Sequence, residues 1–406
     1  MSNLSISYYF PFTRVKLVNQ VFFDQMSSVM IWVEPDLRFD PCCHRCGKKA
    51  GYIHSHDHHR AVRDLNMGAT KTWLDVAYRK IRCDECDTVR VEFQSFCDAS
   101  RRVTHRLARY IHDLCKVMTV QDVSRHLDLD PKTVKAVDYS CLQEEFGQTD
   151  YPGLRILAVD EIALKKGHRY MTVVLDYLTG RVVWMGEGRD KNTLDEFFKG
   201  MTAEQKNAVE AVAMDMWEPY INRVGHHCPR AKIVFDFFHV VKAFGKVIDE
   251  VRRDEYRKAS VEHKKVLQGS RYLLLKNVEN LKDDQKDRLG ELRGLNDTLN
   301  NIYLLKDQLK TIFWYVNRDD AERALDTWCA MADRIDHSSV RRFARRLRFF
   351  EYGILNHCDY AIGTGKLEGV NNKIKLIKRK AFGYHDPDYF ALKVKQAFPG
   401  RLASEE

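Results

Sequence analysis

Acidic residues that follow apolar segments are the first candidates for chemistry in this sequence. Asp160 is predicted to end the apolar strand 155–160, and Asp215 follows the apolar residues 211–214. Side chains alternate along a strand, so Glu161 must point away from Asp160, and only one of the two can serve a given site. If the two strands are neighbours, we expect Asp160 and Asp215 to meet at the edge of one sheet.

A third carboxylate is needed to hold two divalent metal ions, and Glu368 has the most suitable context. It follows the glycine-bearing segment 363–365 at the start of a predicted helix that is basic on one side. Hard oxygen ligands suit Mg²⁺ or Mn²⁺, which activates a water and steadies a leaving 3′-oxygen during in-line attack on phosphorus. The basic residues after Glu368, which we expect to grip phosphates of DNA, are Lys373, Lys375, Lys378, Arg379 and Lys380.

Two further polar residues follow the apolar segment 231–235. Asp236 comes directly after it, and His239 lies three residues on. A histidine so close to a strand end can orient a substrate or brace a carboxylate, and a core or capping role fits the sequence equally well. Asp236 and His239 are therefore supporting candidates, and Asp176 is assigned to a hairpin turn.

Four cysteines form two CxxC pairs, Cys43 with Cys46 and Cys83 with Cys86, and 36 residues separate the pairs. Each CxxC turn presents two thiolates to one ion, so two turns complete a closed, structural, four-thiolate zinc site. Cys42 could replace Cys43, although its spacing from Cys46 fits less well. Four nearby histidines could add a ligand, although a solvated loop explains them better: His54, His56, His58 and His59.

Residues 119–135 predict a helix, a turn at 128–130 and a second helix that begins at Pro131. Asp130 can cap the second helix, and proline is favoured at its first position. Near the start of that helix, where a recognition helix meets the major groove, stand Lys132, Thr133 and Lys135. Any helical hairpin would give the same pattern, but its place between a zinc module and a basic core favours DNA binding.

The elements that must position these groups divide into five segments. The predicted order is a β-rich zinc-binding module at 1–98, a helix-turn-helix region at 99–150, the first part of an α/β core at 151–240, a helical insertion at 241–355, and the final part of the core at 356–406. Three apolar runs at 155–160, 170–175 and 181–185 predict an antiparallel meander, and helices are expected throughout the insertion, for example at 312–334. Trp314 and Trp328 could stack on a flipped base, but tryptophans on amphipathic helices are usually core residues, so both are predicted to lie in the core of that insertion.

The charge and composition narrow the class of protein. Lysine and arginine number 66 against 57 acids, a net charge of +9, which favours a polyanionic partner. There is no secretory signal pattern and no long uncharged apolar run, so we expect a cytoplasmic protein with no membrane partner. Disulfides are then unlikely among its eleven cysteines.

The sequence resembles the ISL-three (ISL3) family of bacterial insertion-sequence transposases, of the Asp-Asp-Glu group, over nearly its whole length. The resemblance rests on residues 159–168, 213–217, 234–242 and 368–383. It implies a ribonuclease-H-like fold in which Asp160, Asp215 and Glu368 are the catalytic carboxylates. It also implies a zinc module at the four CxxC cysteines, and it matches Asp236 and His239 to the group's Asp-x-x-His element.

The resemblance predicts a DNA transposase. Such an enzyme would bind the terminal inverted repeats of its element, hydrolyse a phosphodiester and join the freed 3′-hydroxyl to target DNA. Because two double-stranded DNA ends must be handled together, we expect a homodimer or a higher oligomer, associated with the nucleoid when bound. The alternatives are a zinc-dependent DNA-binding regulator and a nuclease without strand transfer, either derived from a transposase.

Overall fold

The computed structural model describes residues 9–148, 151–165 and 169–400. Its backbone contacts divide the chain into two compact units, Met1–Glu145 and Phe146–Glu406. Residues 166–168, at the end of one segment that carries the family resemblance, lie outside the described residues. No described helix is long and apolar enough to cross a membrane.

The first unit contains a five-stranded sheet in the order β1-β2-β4-β3, with β5 pairing with β4. Alternate side chains of β4 are buried, which matches the pattern of a strand with one face toward a core. That core includes Ile31 of β2 and Leu74 and Val76 of β4. The strands are β1 (Val15–Phe23), β2 (Ser28–Pro35), β3 (Tyr52–Arg63), β4 (Lys71–Cys83) and β5 (Thr88–Val91).

The histidine-rich segment lies in strand β3, so its prediction as a solvated loop is wrong. The ring of His58 stacks on Tyr78 of β4, and its Nε2 lies 2.8 Å from Ser55 Oγ. His59 contacts Asp75 of β4 at 3.3 Å. Polar residues are tolerated in this strand because one face of an antiparallel pair can remain solvated.

Three helices complete the first unit, α1 (His105–Val117), α2 (Val120–Leu127) and α3 (Pro131–Phe146). The turn between α2 and α3 contains Asp128, whose φ of +50° lies in the left-handed region. Asp130 Oδ1 then accepts hydrogen bonds from the backbone N–H groups of Lys132 and Thr133. The predicted pair of helices and its turn are confirmed.

The second unit is built on a five-stranded sheet in the order β10-β9-β6-β7-β8. Strands β6, β7 and β8 form the predicted antiparallel meander, whereas β9 runs parallel to both β6 and β10. The strands are β6 (Ile156–Lys165), β7 (Arg169–Asp176), β8 (Val182–Glu187), β9 (Ala211–Met214) and β10 (Lys232–Phe235).

Helices cover both faces of this sheet. One face packs with α4 (Lys191–Lys199) and α6 (Glu218–His227), and α5 (Ala203–Ala208) precedes β9. The other face packs against α15 (Thr364–Lys380) and α16 (Pro387–Ala397).

The segment between β10 and α15 is helical, as predicted. Trp328 is 1% exposed within its core, whereas Trp314 is 73% exposed and was wrongly predicted to be buried. The single helix predicted at 312–334 is interrupted, because α11 ends at Ile312 and α12 begins at Arg318. The helices are α7 (Phe237–Lys258), α8 (Val261–Leu267), α9 (Arg271–Leu275), α10 (Asp283–Leu295), α11 (Asp297–Ile312), α12 (Arg318–Asp333), α13 (Ser338–Phe349) and α14 (Glu351–Leu355).

Candidate active site and metal centre

Asp160 lies in the middle of strand β6 and not at its end, which corrects the sequence prediction. The strand continues to Lys165 because its backbone remains paired with β7 beyond Asp160. Ala158 and Ile162, which alternate with Asp160, belong to the apolar cluster on the α15 face of the sheet. Glu161 faces the opposite side, where it approaches Arg189 at 3.9 Å. The prediction that the two carboxylates point apart is confirmed.

Asp215 directly follows strand β9, which pairs in parallel with β6 through Ala158 and Ala213. Ala213 belongs to the same apolar cluster as Ala158, so by alternation Asp215 faces the α15 side as Asp160 does. The two strands are therefore neighbours, and their aspartates lie on one face near the carboxyl end of β9.

Glu368 is brought to this face by helix α15. Leu367, Val370 and Ile374 pack the helix onto the sheet, and this leaves Glu368 exposed. One turn after Glu368, the Asn371 side-chain amide donates a hydrogen bond to Asp160 Oδ2. This bond ties the helix that carries Glu368 to the strand that carries Asp160.

His239, near the start of α7, contacts Asp215 through its Nδ1 atom. The same nitrogen lies 4.0 Å from Asp236 Oδ2. Asp236 also caps α7, because its Oδ1 accepts a hydrogen bond of 2.8 Å from the backbone N–H of Phe238. The structure thus places both supporting candidates beside Asp215.

The site is strongly anionic. Burial raises the pKa of Asp236 to about 6, and the negative charges of Asp160 and Glu368 act in the same direction. Burial also lowers the pKa of His239, which favours its neutral form. Among the described residues, no lysine or arginine forms an ion pair with Asp160, Asp215 or Glu368. An acidic group without cationic partners is an arrangement that suits divalent metal ions.

The basic residues of α15 divide into two groups. Lys373 Nζ donates to the carbonyl of Ala397 at 2.7 Å, and Lys378 Nζ donates to that of Ala163 at 2.8 Å. Both ammonium groups therefore hold the helix to the core. Lys375 and Arg379 are exposed, as is Lys380.

The helical insertion contacts the strand edge beside Asp215. Arg346 of α13 donates a hydrogen bond of 2.7 Å to the carbonyl of Met216. The amide of Asn356 donates at 2.8 Å to the carbonyl of Ile233 in β10. The insertion packs against β10, while α15 approaches the sheet from the other face.

Two contacts at this site were missed from the sequence. Asn371 was not singled out within the segment 368–383, although its place one turn after Glu368 was a usable signal. The only sequence signal for Arg346 was its position in the basic stretch 341–348. That position did not indicate a contact with the loop after Asp215.

The four CxxC cysteines form the second candidate centre. Their Sγ atoms all lie within 4.8 Å of one another, and no other group of three or more His, Cys, Asp or Glu does so in the described part of the chain. The Cys46–Cys83 and Cys43–Cys86 Sγ distances are 3.4 and 4.0 Å. Tetrahedral zinc with Zn–S bonds of about 2.3 Å separates its sulfurs by about 3.8 Å, so the thiolates fit this ion.

Cys42 is excluded from this cluster. Its Sγ accepts a hydrogen bond of 3.3 Å from Arg14 Nη2, and it lies 3.7 Å from the carbonyl of Asp40. Cys43, and not Cys42, is therefore the first cysteine of the cluster. None of the four histidines of β3 joins the cluster.

The helix-turn-helix candidate presents the start of α3 to solvent. Val123, Leu127 and Val134 lie in its core, and Leu129 packs against them. Lys132 and Thr133 are exposed, and Lys135 is half-buried.

Comparison with known families bears on both units. Residues 157–394 match a family model described as "Transposase" of the ISL3 type. The chain belongs to the ISL3 family of transposases. Its residues 95–140 match the helix-turn-helix domain of transposase family ISL3, and residues 40–86 match the zinc-finger of transposase IS204/IS1001/IS1096/IS1165.

The transposases of two insertion sequence elements are similar to this ISL3 chain over most of its length. The transposase for insertion sequence element IS1001 of Bordetella parapertussis is 36% identical over 93% of each chain. The transposase for insertion sequence element IS1557 of Mycobacterium tuberculosis is 28% identical over 85% of this chain and 83% of that protein.

Proposed function

We propose that this ISL3 transposase binds the terminal inverted repeats of an insertion sequence, cleaves a phosphodiester and joins the 3′-hydroxyl ends to target DNA. The observation that carries the proposal is the meeting of Asp160 and Asp215 on one face of adjacent parallel strands. Helix α15 brings Glu368 to that face and is tied to Asp160 by Asn371.

A ribonuclease-H-like core is the fold that we infer for the second unit. Its support is the sheet order β10-β9-β6-β7-β8, in which an antiparallel meander is extended on one side by two parallel strands. A helical segment then separates Asp236 from α15, as expected for an insertion between the second aspartate and the glutamate.

The donor atoms fit a pair of Mg²⁺ ions. Asp160, Asp215 and Glu368 would supply the hard carboxylate oxygens that this ion prefers, and all three are brought to one side of the sheet. Bound there, the ions would activate a water and neutralise charge on the leaving oxygen.

The surrounding residues have distinct roles in this proposal. Asp160, Asp215 and Glu368 hold the metal ions, and no covalent enzyme intermediate is needed. Neutral His239 orients the carboxylate of Asp215, while the amide of Asn371 orients that of Asp160. The exposed Lys375 and Arg379 bind phosphates along α15.

DNA-end recognition is assigned to the first unit. Lys132, Thr133 and Lys135 lie at the start of α3, where a recognition helix reads the major groove. The zinc ion held by Cys43, Cys46, Cys83 and Cys86 is structural, because four thiolates leave no open position. Two ends are processed together, so the active form is a homodimer or a higher oligomer.

The test is incubation with the element's own ends and Mg²⁺, followed by mapping of the strands that are cut. Asp160→Asn, Asp215→Asn and Glu368→Gln should lower cleavage about a thousandfold or more, since the metal ions supply several kcal/mol of charge stabilisation. End binding in a gel-shift assay should be retained. Asp388→Asn, a change at an exposed carboxylate of α16, is the control and should cut normally.

Retained cleavage in the Glu368→Gln protein would rule out the three-carboxylate assignment. A regulator that has lost its chemistry would bind the ends without cutting them. A nuclease without strand transfer would cut, but would not join precut ends with exposed 3′-hydroxyls to a target duplex.

A further inference from the structure

Phe382 stands fully in solvent at the end of α15, with its side chain 100% exposed. The next aromatic residue, Tyr384, is half-buried, and its ring packs 4.8 Å from that of Phe390. The segment therefore turns one aromatic ring inward and holds the other outward. The whole face of the Phe382 ring is therefore open to a bound partner.

The backbone holds Phe382 in place. Its φ is +53°, in the left-handed region that glycine adopts far more easily. The Phe382 N–H donates to the carbonyl of Arg379 at 3.0 Å, and the Gly383 N–H donates to that of Lys378 at 2.9 Å. The chain thus keeps a phenylalanine at a helix-ending position where glycine would be less strained. Conformational strain of this kind is concentrated at functional sites.

Charge along α15 indicates the kind of partner. Glu368, Lys375 and Arg379 are exposed and follow one another at intervals of two turns and one turn. Phe382 comes fourteen residues after Glu368 and two residues after the end of α15, so at 1.5 Å per helical residue it lies roughly 20 Å from Glu368. An acidic site and two exposed cations therefore follow one line along the helix, and an aromatic ring comes directly after the helix ends.

We propose that the Phe382 ring stacks on a base of the DNA end held at the carboxylate site, and so fixes the register of that end. The inference rests on the proposed function, because it places the DNA along α15. Base stacking needs only one aromatic face and accepts any base, whereas a stable protein interface needs a broad apolar patch. Since bases are about 3.4 Å apart along a strand, the stacked base lies within roughly six nucleotides of the cut.

Substitutions at Phe382 can separate the role of its ring from the role of its backbone conformation. Phe382→Gly and Phe382→Asn remove the ring but suit the left-handed conformation, so their melting temperature should be no lower than that of the wild type. Joining of precut ends should fall on the order of tenfold or more in both. Phe382→Trp keeps an aromatic ring at this position, so this variant should join precut ends at about the wild-type rate. Tyr272→Ala, which removes another exposed ring from the same unit, is the control and should join normally.

A direct readout uses 2-aminopurine at successive positions of the terminal duplex, without added Mg²⁺ so that the DNA stays uncut. We expect the wild-type protein to raise the fluorescence at one position within that six-nucleotide window, because the base must leave the neighbouring bases that quench it before it can meet the Phe382 ring. Phe382→Gly should abolish this rise while it retains end binding.

The outcomes distinguish this inference from the proposed function. If the wild type cuts the ends but the Gly and Asn variants join them at the wild-type rate, the stacking inference is wrong and the transposase function stands. If the Gly variant changes the oligomeric state without DNA and the fluorescence scan shows no rise, Phe382 contacts a second copy of the chain, which also overturns the inference. A wild-type protein that cannot cut overturns both.

Discussion

The two candidate metal centres are built in opposite ways. The four thiolates lie within 4.8 Å of one another and come from two CxxC turns beside strand β4. The three carboxylates come from β6, from the residue after β9 and from a helix whose Asn371 is 211 residues from Asp160. The first centre is compact and closed, whereas the second is open, since Glu368 is exposed.

This difference follows from what each centre must do. A structural zinc ion fills all four positions with protein ligands and stabilises a small module. A site for phosphoryl transfer must leave room for metal-bound water and for the DNA phosphate.

Removing one thiolate should have the largest effect. In Cys43→Ser the zinc ion is lost, and with it about 10 kcal/mol or more of metal-dependent folding free energy in this module. We expect a loss of bound zinc by elemental analysis and a loss of end binding by gel shift. Asp160→Asn, by contrast, should keep its zinc and bind DNA ends. One zinc per chain in the Cys43→Ser protein would mean that the cluster is not the zinc site.

Asn371→Ala should weaken the open site without unfolding it. Residues that orient metal ligands typically change metal affinity or activity by 10- to 100-fold. We expect a higher Mg²⁺ concentration for half-maximal cleavage and an unchanged melting temperature. Asn372→Ala, at the exposed neighbouring position, is the matched control. Equal Mg²⁺ titrations for the two variants would remove Asn371 from the site.

Asp236→Asn tests the electrostatic cost of the open site in metal-free protein. The pKa of Asp236 rises from 3.8 to about 6 on folding, so the carboxyl destabilises the fold as pH increases through that interval. Its cost is absent below about pH 4 and complete above about pH 6. Asparagine caps a helix as well as aspartate does, so the variant should be more stable by about 2–3 kcal/mol at pH 7.5.

Urea unfolding at pH 7.5 and at pH 4 measures this effect of Asp236→Asn. The gain should be present at the higher pH and absent at the lower one. If Asp236→Asn stabilised the protein equally at both pH values, the cause would be packing and not charge.

Cys42→Ser should have the smallest effect of the set. Cys42 lies outside the thiolate cluster, where its sulfur accepts one hydrogen bond from Arg14 that a hydroxyl can also accept. We expect full zinc content and a change in stability within about 0.5 kcal/mol. Loss of zinc here would assign the first ligand to Cys42 and not to Cys43.

Most of the sequence predictions that the structure confirms were derived from local patterns. The strand at 211–214, the meander and the helix pair around residue 129 each follow from alternation, turn residues or helix capping. The errors arose where partners elsewhere in the chain decide the outcome. Strand β6 runs past Asp160 because β7 pairs with it, and the histidines of β3 form a strand because β4 lies beside them.

Residue types and their spacing indicated the reactive groups: two CxxC pairs at zinc spacing, and a family resemblance that singled out Glu368 across a long gap. Folding decides which of these groups meet. Parallel pairing of β9 with β6 sets Asp215 beside Asp160, and the apolar face of α15 brings Glu368 and Asn371 to the same side of the sheet. This difference reflects separation along the chain. A CxxC turn is formed by neighbouring residues, whereas the carboxylates meet only because one sheet and one helix share a core.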